Sequence, residues 1–369
     1  MKAVISEKWY NNLINLFIMR FKKITDISVI SKRVLVRCDF NVPMDEKGNI
    51  SDDFRIKQTL PTIKYLMDDH SRIILMCHLG EPEGQVVPEL RVNKIAERLS
   101  EYLNCSVLKA DDCIGPEIES EANTLGAGEI LLLENLRFHK EETDNNPEFA
   151  KKLSYLGDVY VNDAFGVCHR NNASITEVPE IMPHCAGFLL EKEITTLEKI
   201  MKEGPEGAQK PMVAIIGGKK VETKAKFIDN ISEVADYVIV SGLIAKEVAE
   251  KGIKFKYPEK IITPLGQLDA LDISKDSIKL FREKIMQAKT VLWNGPFGKF
   301  EERKYAKGSL AIAEAIIESG AFSVVGGGET VEFITKQGMI DKFSHVSTGG
   351  GAMLSFLSGD KLPGLEALK

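Results

Sequence analysis

Short apolar runs alternate with segments of helical period along most of the chain. The runs at 33–38 (RVLVRC), 72–77 (RIILMC), 129–134 (EILLLE) and 158–162 (DVYVN) are nearly continuous in apolar character. That is the pattern of strands buried on both faces. Between them, 92–103 and 146–156 carry apolar residues at helical spacing. The alternation restarts after residue 200 with strands predicted at 212–216, 237–240, 291–293, 322–325 and 343–347. Strands separated by helices predict parallel sheets covered by helices on both faces. A helix predicted over 187–201 (GFLLEKEITTLEKIM) precedes the Gly/Pro-rich KEGPEGAQKP and marks a domain junction. The expected organisation is therefore an α/β chain of two domains, 19–186 and 202–354, joined by the 187–201 helix.

Length agrees with two domains, since 369 residues exceed what one ordinary core holds. A composition of 44% hydrophobic and 28% charged residues excludes wholesale disorder. The formal net charge of -6 argues against a partner that is nucleic acid or an acidic membrane. No apolar run approaches the ~18 residues of a membrane span. Six cysteines without a C-x-x-C pair indicate a reducing, cytoplasmic compartment rather than a disulfide framework or zinc knuckle. The six histidines show no metal spacing. Residues 1–18 lack a long apolar segment and a cleavage site, so they read as an N-terminal extension without function.

The strand ends differ between the halves, and strand ends are where open α/β sheets bind ligands. In the first half they carry Asp39, Asn41, His78, Arg137, Asn162, Asp163 and Arg170; in the second they carry glycine pairs and triplets. Glycine lets backbone N–H groups approach phosphate. One domain is thus expected to read a small anion with side chains, and the other to cradle a polyphosphate with backbone.

Each motif has a plainer reading beside the functional one. In VAIIGGKKVETK a helix starting near Lys220 would put Lys220 and Lys224 on one face beside a positive helix end, either as an anion grip or as a solvated face. Glu329 and Thr330 follow three glycines, and Glu329 suits either a helix cap or Mg²⁺. Asn294 and Glu301, in WNGPFGKFEE, suit either a nucleotide edge or turn backbone. Arg55 is expected at the start of a helix, where its charge opposes the dipole. With Arg137 and Arg170 it supplies three guanidinium forks suited to carboxylate and phosphate. A nicotinamide-dependent dehydrogenase would need G-x-G-x-x-G opening the first βα unit and an acidic residue after it; neither is present.

From about Phe21 onward the chain closely resembles the phosphoglycerate kinase family. The resemblance is carried by RVLVRCDFNVP, LLLENLRFH, VYVNDAFGVCHR, VLWNGPFG and HVSTGGGAM. It implies two Rossmann-like domains and a hinge, with a C-terminal tail (355–369) that packs back on the N-terminal domain. It implies phosphoryl transfer between 1,3-bisphosphoglycerate and MgADP, giving 3-phosphoglycerate and MgATP, in a monomer. Carried over by position, Asp39, Asn41, Arg55, His78, Arg137 and Arg170 match the phosphoglycerate ligands. Arg55, Lys220, Gly328 and Gly351 match the catalytic set. Gly217, Lys220, Lys224, Gly242, Asn294, Glu301 and the turn Gly327-Gly328-Glu329-Thr330 match the nucleotide site, with Glu329 on the metal. The chain departs from the family at Glu81 (usually arginine), Glu329 (usually aspartate), Lys219, Glu222-Thr223 and Asn172. It departs also in the adenine-side turn VSGLIAKEV and in a shortened stretch at 253–273.

Overall fold

The computed structural model describes residues 21–202, 204–218, 221 and 224–369. The extension 1–18 and the positions Lys219, Lys220, Glu222 and Thr223 lie outside the described residues. The chain divides into two compact units. One runs through Ile194 and takes in Lys361–Lys369; the other is Thr195–Asp360.

The first unit holds strands β1 (Arg33–Cys38), β2 (Arg72–Met76), β3 (Val107–Lys109), β4 (Ile130–Leu132), β5 (Val159–Asp163) and β6 (His184–Ala186). Its helices of eight residues or more begin with α1 (Phe54–Asp68), α2 (Asn93–Leu103) and α3 (Pro116–Thr124). They continue with α4 (Pro147–Ser154), α5 (Ala173–Ile181) and α6 (Phe188–Met201), the last running on into the second unit. The strands form one sheet in the order β3-β4-β2-β1-β5-β6. Every pairing in it is parallel, with Val34 opposite both Ile73 and Val159.

The second unit holds β7 (Met212–Ile216), β8 (Tyr237–Val240), β9 (Ile261–Ile262), β10 (Thr290–Asn294), β11 (Phe322–Gly326) and β12 (His345–Val346). Its helices are α7 (Ala225–Val234), α8 (Gly242–Lys251), α9 (Lys275–Gln287), α10 (Lys307–Ser319), α11 (Gly328–Lys336) and α12 (Gly350–Leu357). The sheet order β12-β11-β10-β7-β8-β9 reverses direction between β7 and β10. That point is the topological switch at which doubly wound sheets open a ligand crevice. β5, β7 and β10 are buried at every position, as strands covered on both faces must be. Two Rossmann-like parallel sheets are thus the architecture the apolar runs predicted.

The details differ where local signal is weak. β3, β6 and β9 are two or three residues long, too short to show a period in sequence. The strand expected over 343–347 shrinks to His345–Val346. The helix expected near Lys220 begins only at Ala225, with Lys224 at its N-cap position. The C-terminal residues of the first unit close onto β5 and its loop: Gly364 N donates to Cys168 O at 2.9 Å, and Asn162 Nδ2 to Gly364 O at 3.5 Å. Among the described residues no helix is long and apolar enough to cross a membrane.

Candidate active site

Arg55, Arg137 and Arg170 of the first unit follow the C-terminal ends of β1, β4 and β5, and His78 follows β2. Asp39 and Asn41 leave β1 on one side, and α1 brings Arg55 back to them. Arg55 Nη1 donates to the Asn41 carbonyl at 2.8 Å and lies 3.3 Å from Asp39 Oδ2. The Asn41 side chain accepts from Gly80 N at 2.9 Å, which ties the β1 loop to the β2 loop. Asn135 adds a second tie, donating to Leu79 O at 2.7 Å and accepting from Arg137 N at 3.1 Å. Arg137 then reaches the Gly80 carbonyl at 2.9 Å. Loops from β1, β2 and β4 are thereby locked edge to edge.

His78 sits at the centre, buried, and its pKa falls well below the ordinary 6.5. Burial is the first cause, and Arg37, Arg137, Arg170 and Arg55 add to it. Arg37 Nη2 lies 3.3 Å from His78 Nδ1. A guanidinium can only donate, so the neutral ring accepts at Nδ1 and carries its proton on Nε2. Arg37 is itself fully buried and bonded to Ser174 Oγ at 2.8 Å, with Glu142 Oε1 at 3.8 Å. Glu142 in turn accepts from Ser174 N and Oγ at 2.9 and 2.6 Å. This Arg37–Glu142–Ser174 support was not picked out from sequence, and neither was Asn135. Their one available signal was polarity inside otherwise apolar strands and turns.

Glu81 defines the state of this site. In place of repelling an anion from a distance, it turns inward and pairs with Arg137 at 2.7 Å and with Arg170 at 3.3 Å.

In the second unit the glycines sit where backbones meet. A Cβ on Gly217 would lie 2.2 Å from Gly295 O, and one on Gly350 2.7 Å from Gly327 Cα. The ends of β7 and β10, and the starts of α11 and α12, are therefore in direct contact. Thr330 turns inward and accepts from Gly295 N at 2.8 Å. Asn294 is buried, and its Nδ2 has no hydrogen-bond partner among the described residues. Lys224 folds back so that its ammonium donates to the Gly217 carbonyl. Burial pulls its pKa down to about 8, with Glu329 opposing the shift. Gly328 and Gly351 are exposed in the first turns of α11 and α12.

Beside these residues lies a cavity of about 350 Å³. Gly218, Gly242, Glu301 and Glu329 line it together with an apolar wall that includes Leu243, Leu265, Leu268 and Phe297. Ser241 caps α8 at its mouth, donating to Gly218 O at 2.7 Å and accepting from Ile244 N at 3.3 Å. Leu265 and Leu268 of that wall come from the 264–271 loop, whose sequence carries no periodic signal. The lysine expected beside the transferred group, Lys220, lies outside the described residues.

Among the described residues one group of potential metal ligands comes together away from these sites, Asp112, Cys113 and His139, within 4.8 Å of one another. His139 Nε2 pairs with Asp112 Oδ1 at 2.6 Å. Burial, with Asp112 and Glu142, holds the Cys113 thiol protonated. The group is a closed ion pair over a buried thiol.

An arginine cluster in one Rossmann-like unit and a glycine-bordered cavity with a partly buried lysine in the other fit a phosphotransferase. Comparison with known proteins gives the particular family. The phosphoglycerate kinase family model matches residues 24–257 and 246–360, two pieces that overlap just before the short β9. Phosphoglycerate kinase of Chlorobaculum tepidum is 40% identical, covering 95% of this chain and all of the relative. That of Moorella thermoacetica is 42% identical over 93% of this chain and 98% of the relative. Solved phosphoglycerate kinases of Pyrococcus horikoshii and Coxiella burnetii superpose with TM-scores of 0.83 and 0.79 at 33% and 32% identity. Each covers 94% of this chain and 98% of its own. This chain belongs to the phosphoglycerate kinase family, and it is an enzyme of phosphoryl transfer in glycolysis.

Proposed function

We propose that the first unit binds 3-phosphoglycerate and 1,3-bisphosphoglycerate through Arg55, Arg137, Arg170 and the Nε2–H of His78, with Asp39 and Asn41 orienting Arg55. The second unit binds ADP or ATP in the cavity beside Gly218, Gly242 and Glu301, its phosphates meeting Lys224 and the α11 turn. The observation that carries this reading is the convergence of Arg37, Arg55, Arg137 and Arg170 on a buried histidine, kept neutral first by burial and then by their charges. Arginine supplies paired donors matched to carboxylate and phosphate, and a neutral histidine adds a donor without a further charge.

The reaction asks little covalent work of the protein. An acyl phosphate is a good phosphoryl donor, so positioning and stabilisation of the charge on the moving group are the main tasks. Lys220, Arg55 and the backbone of Gly328 and Gly351 are each assigned to that group by the family resemblance alone. Lys224 and Asn294 Nδ2, a buried donor with no partner among the described residues, are assigned to the nucleotide phosphates. Glu329 fits Mg²⁺: it is an exposed carboxylate on the cavity rim, and Mg²⁺ prefers one or two carboxylates plus phosphate oxygens. Bound with the nucleotide, the ion would neutralise phosphate charge. We read the enzyme as a monomer, as the family resemblance implies, and as cytoplasmic, since six cysteines without a C-x-x-C pair fit a reducing compartment.

The test is 3-phosphoglycerate-dependent ATP consumption, coupled to NADH oxidation through glyceraldehyde-3-phosphate dehydrogenase. Turnover is expected in the wild type and lost in Lys220→Ala, while Lys220→Ala still binds 3-phosphoglycerate. Loss of turnover and of 3-phosphoglycerate binding together in that variant would overturn the assignment of Lys220.

A further inference from the structure

Arg137 carries a charge in a place that water barely reaches. Its side chain is 2% exposed, and a guanidinium so enclosed needs a compensating charge. Glu81 supplies it, with Oε1 at 2.7 Å from Arg137 Nη1. The same oxygen lies 3.3 Å from Arg170 Nη1, so one carboxylate bridges two guanidinium groups that would otherwise repel. Burial lowers the Arg137 pKa and the Glu81 charge pushes it back up. The backbone that carries Glu81 is fixed, because Gly80 N donates to Asn41 and Arg137 donates to Gly80 O. The Glu81 side chain, in contrast, is 63% exposed and can rotate into solvent without moving the loop.

We propose that Glu81 is an internal occupant of the Arg137–Arg170 anion site, which the anionic group of the phosphoglycerate must displace, and that it thereby sets a weakened affinity for that substrate. This rests on the assignment of both arginines to the substrate site. Binding is an exchange of one anion for another. The incoming group takes over the guanidinium donors, and the expelled carboxylate remains nearby as a repelling charge. Glu81 also keeps Arg137 paired when no substrate is bound, so the cost of burying that charge falls on the free enzyme only when Glu81 is removed.

The experiment uses the full chain as wild type, Glu81→Gln, Glu81→Asp and Arg170→Ala. Each is titrated calorimetrically with 3-phosphoglycerate, assayed for both KM values, and melted with and without 3-phosphoglycerate. Glu81→Gln keeps the side-chain volume and removes the charge. It is expected to lower Kd and KM for 3-phosphoglycerate roughly twofold to tenfold, the size of two part-exposed ion pairs, and to leave KM for MgATP unchanged. It is also expected to melt lower than wild type when free and to gain more on adding 3-phosphoglycerate. Glu81→Asp, which keeps the charge, stays near wild type. If Arg170→Ala weakens 3-phosphoglycerate while Glu81→Gln leaves it unchanged or weaker, Glu81 is not a competitor and this proposal falls alone. If Arg170→Ala leaves 3-phosphoglycerate binding intact, the assignment of the arginines falls, and the proposal with it.

Discussion

Lys224 caps α7 and turns its ammonium back onto the Gly217 carbonyl, so the cation is held at the end of β7 inside the protein rather than in solvent. Burial draws its pKa from 10.5 to about 8. Folding therefore favours the neutral amine. The cost of keeping the charge is full below pH 8 and disappears as pH rises from 8 to 10.5. A nucleotide phosphate bound at Lys224, as proposed, would reverse the preference and draw a proton onto it. ADP titrations at pH 8.5 in buffers of different ionisation enthalpy should reveal proton uptake, and Lys224→Met should abolish it. Equal heats in all buffers for the wild type would remove Lys224 from the phosphates.

Two glycines on the nucleotide side separate fold from function. A Cβ on Gly242 would lie 2.1 Å from the backbone oxygen of Leu268, so alanine there must push the cavity wall aside. Gly242→Ala is expected to raise KM for MgATP by about tenfold or more and to lower the melting temperature. A Cβ on Gly328 meets nothing within 4 Å. Alanine is the better helix former by about 0.5–1 kcal/mol, so Gly328→Ala should melt at or above wild type while kcat falls. A clear drop in its melting temperature would count against this reading.

Asp163 gives a pH dependence that belongs to the first unit. It accepts from Leu189 N at 2.9 Å and Leu190 N at 3.3 Å at the start of α6. Burial nonetheless raises its pKa from 3.8 to about 7. The folded state thus holds a proton that the unfolded state releases. Its contribution to stability falls as pH rises from about 4 to 7, then levels off, with a span on the order of a few kcal/mol. Asp163→Asn keeps an acceptor without the charge. Its melting temperature relative to wild type should climb between pH 5 and pH 8, and a constant difference would show that Asp163 does not titrate there.

Asn294 holds a buried Nδ2 that no group among the described residues satisfies, close to Gly327. An unmet buried donor costs about 1–3 kcal/mol. Asn294→Leu, of similar size, should therefore leave the free enzyme as stable or more stable, and it should cut turnover at subsaturating MgATP about tenfold or more. A variant that loses stability but keeps its nucleotide KM would make Asn294 a structural residue.

The apolar runs were legible in detail because burial on both faces leaves no other composition possible. β1, β7 and β8 begin and end where their runs do. The glycines after β7, β10 and β11 were legible too, since only glycine permits backbones at the separations seen at Gly217 and Gly350. The family motifs brought Arg55, His78 and Arg137 into one expected site, and the structure gathers them.

What sequence by itself determined about this protein is what repeats along the chain: two parallel sheets, their strand ends, and the types of residue found there. The tertiary structure alone decided where side chains point. Arg37 meets Ser174, and Asn135 meets Leu79, across separations of 137 and 56 residues that no periodicity encodes. Glu81 shows the difference most plainly. As a letter it is a carboxylate in a family position usually held by arginine. In the fold it becomes the counter-charge of Arg137, because burial of that guanidinium makes the nearest carboxylate its partner.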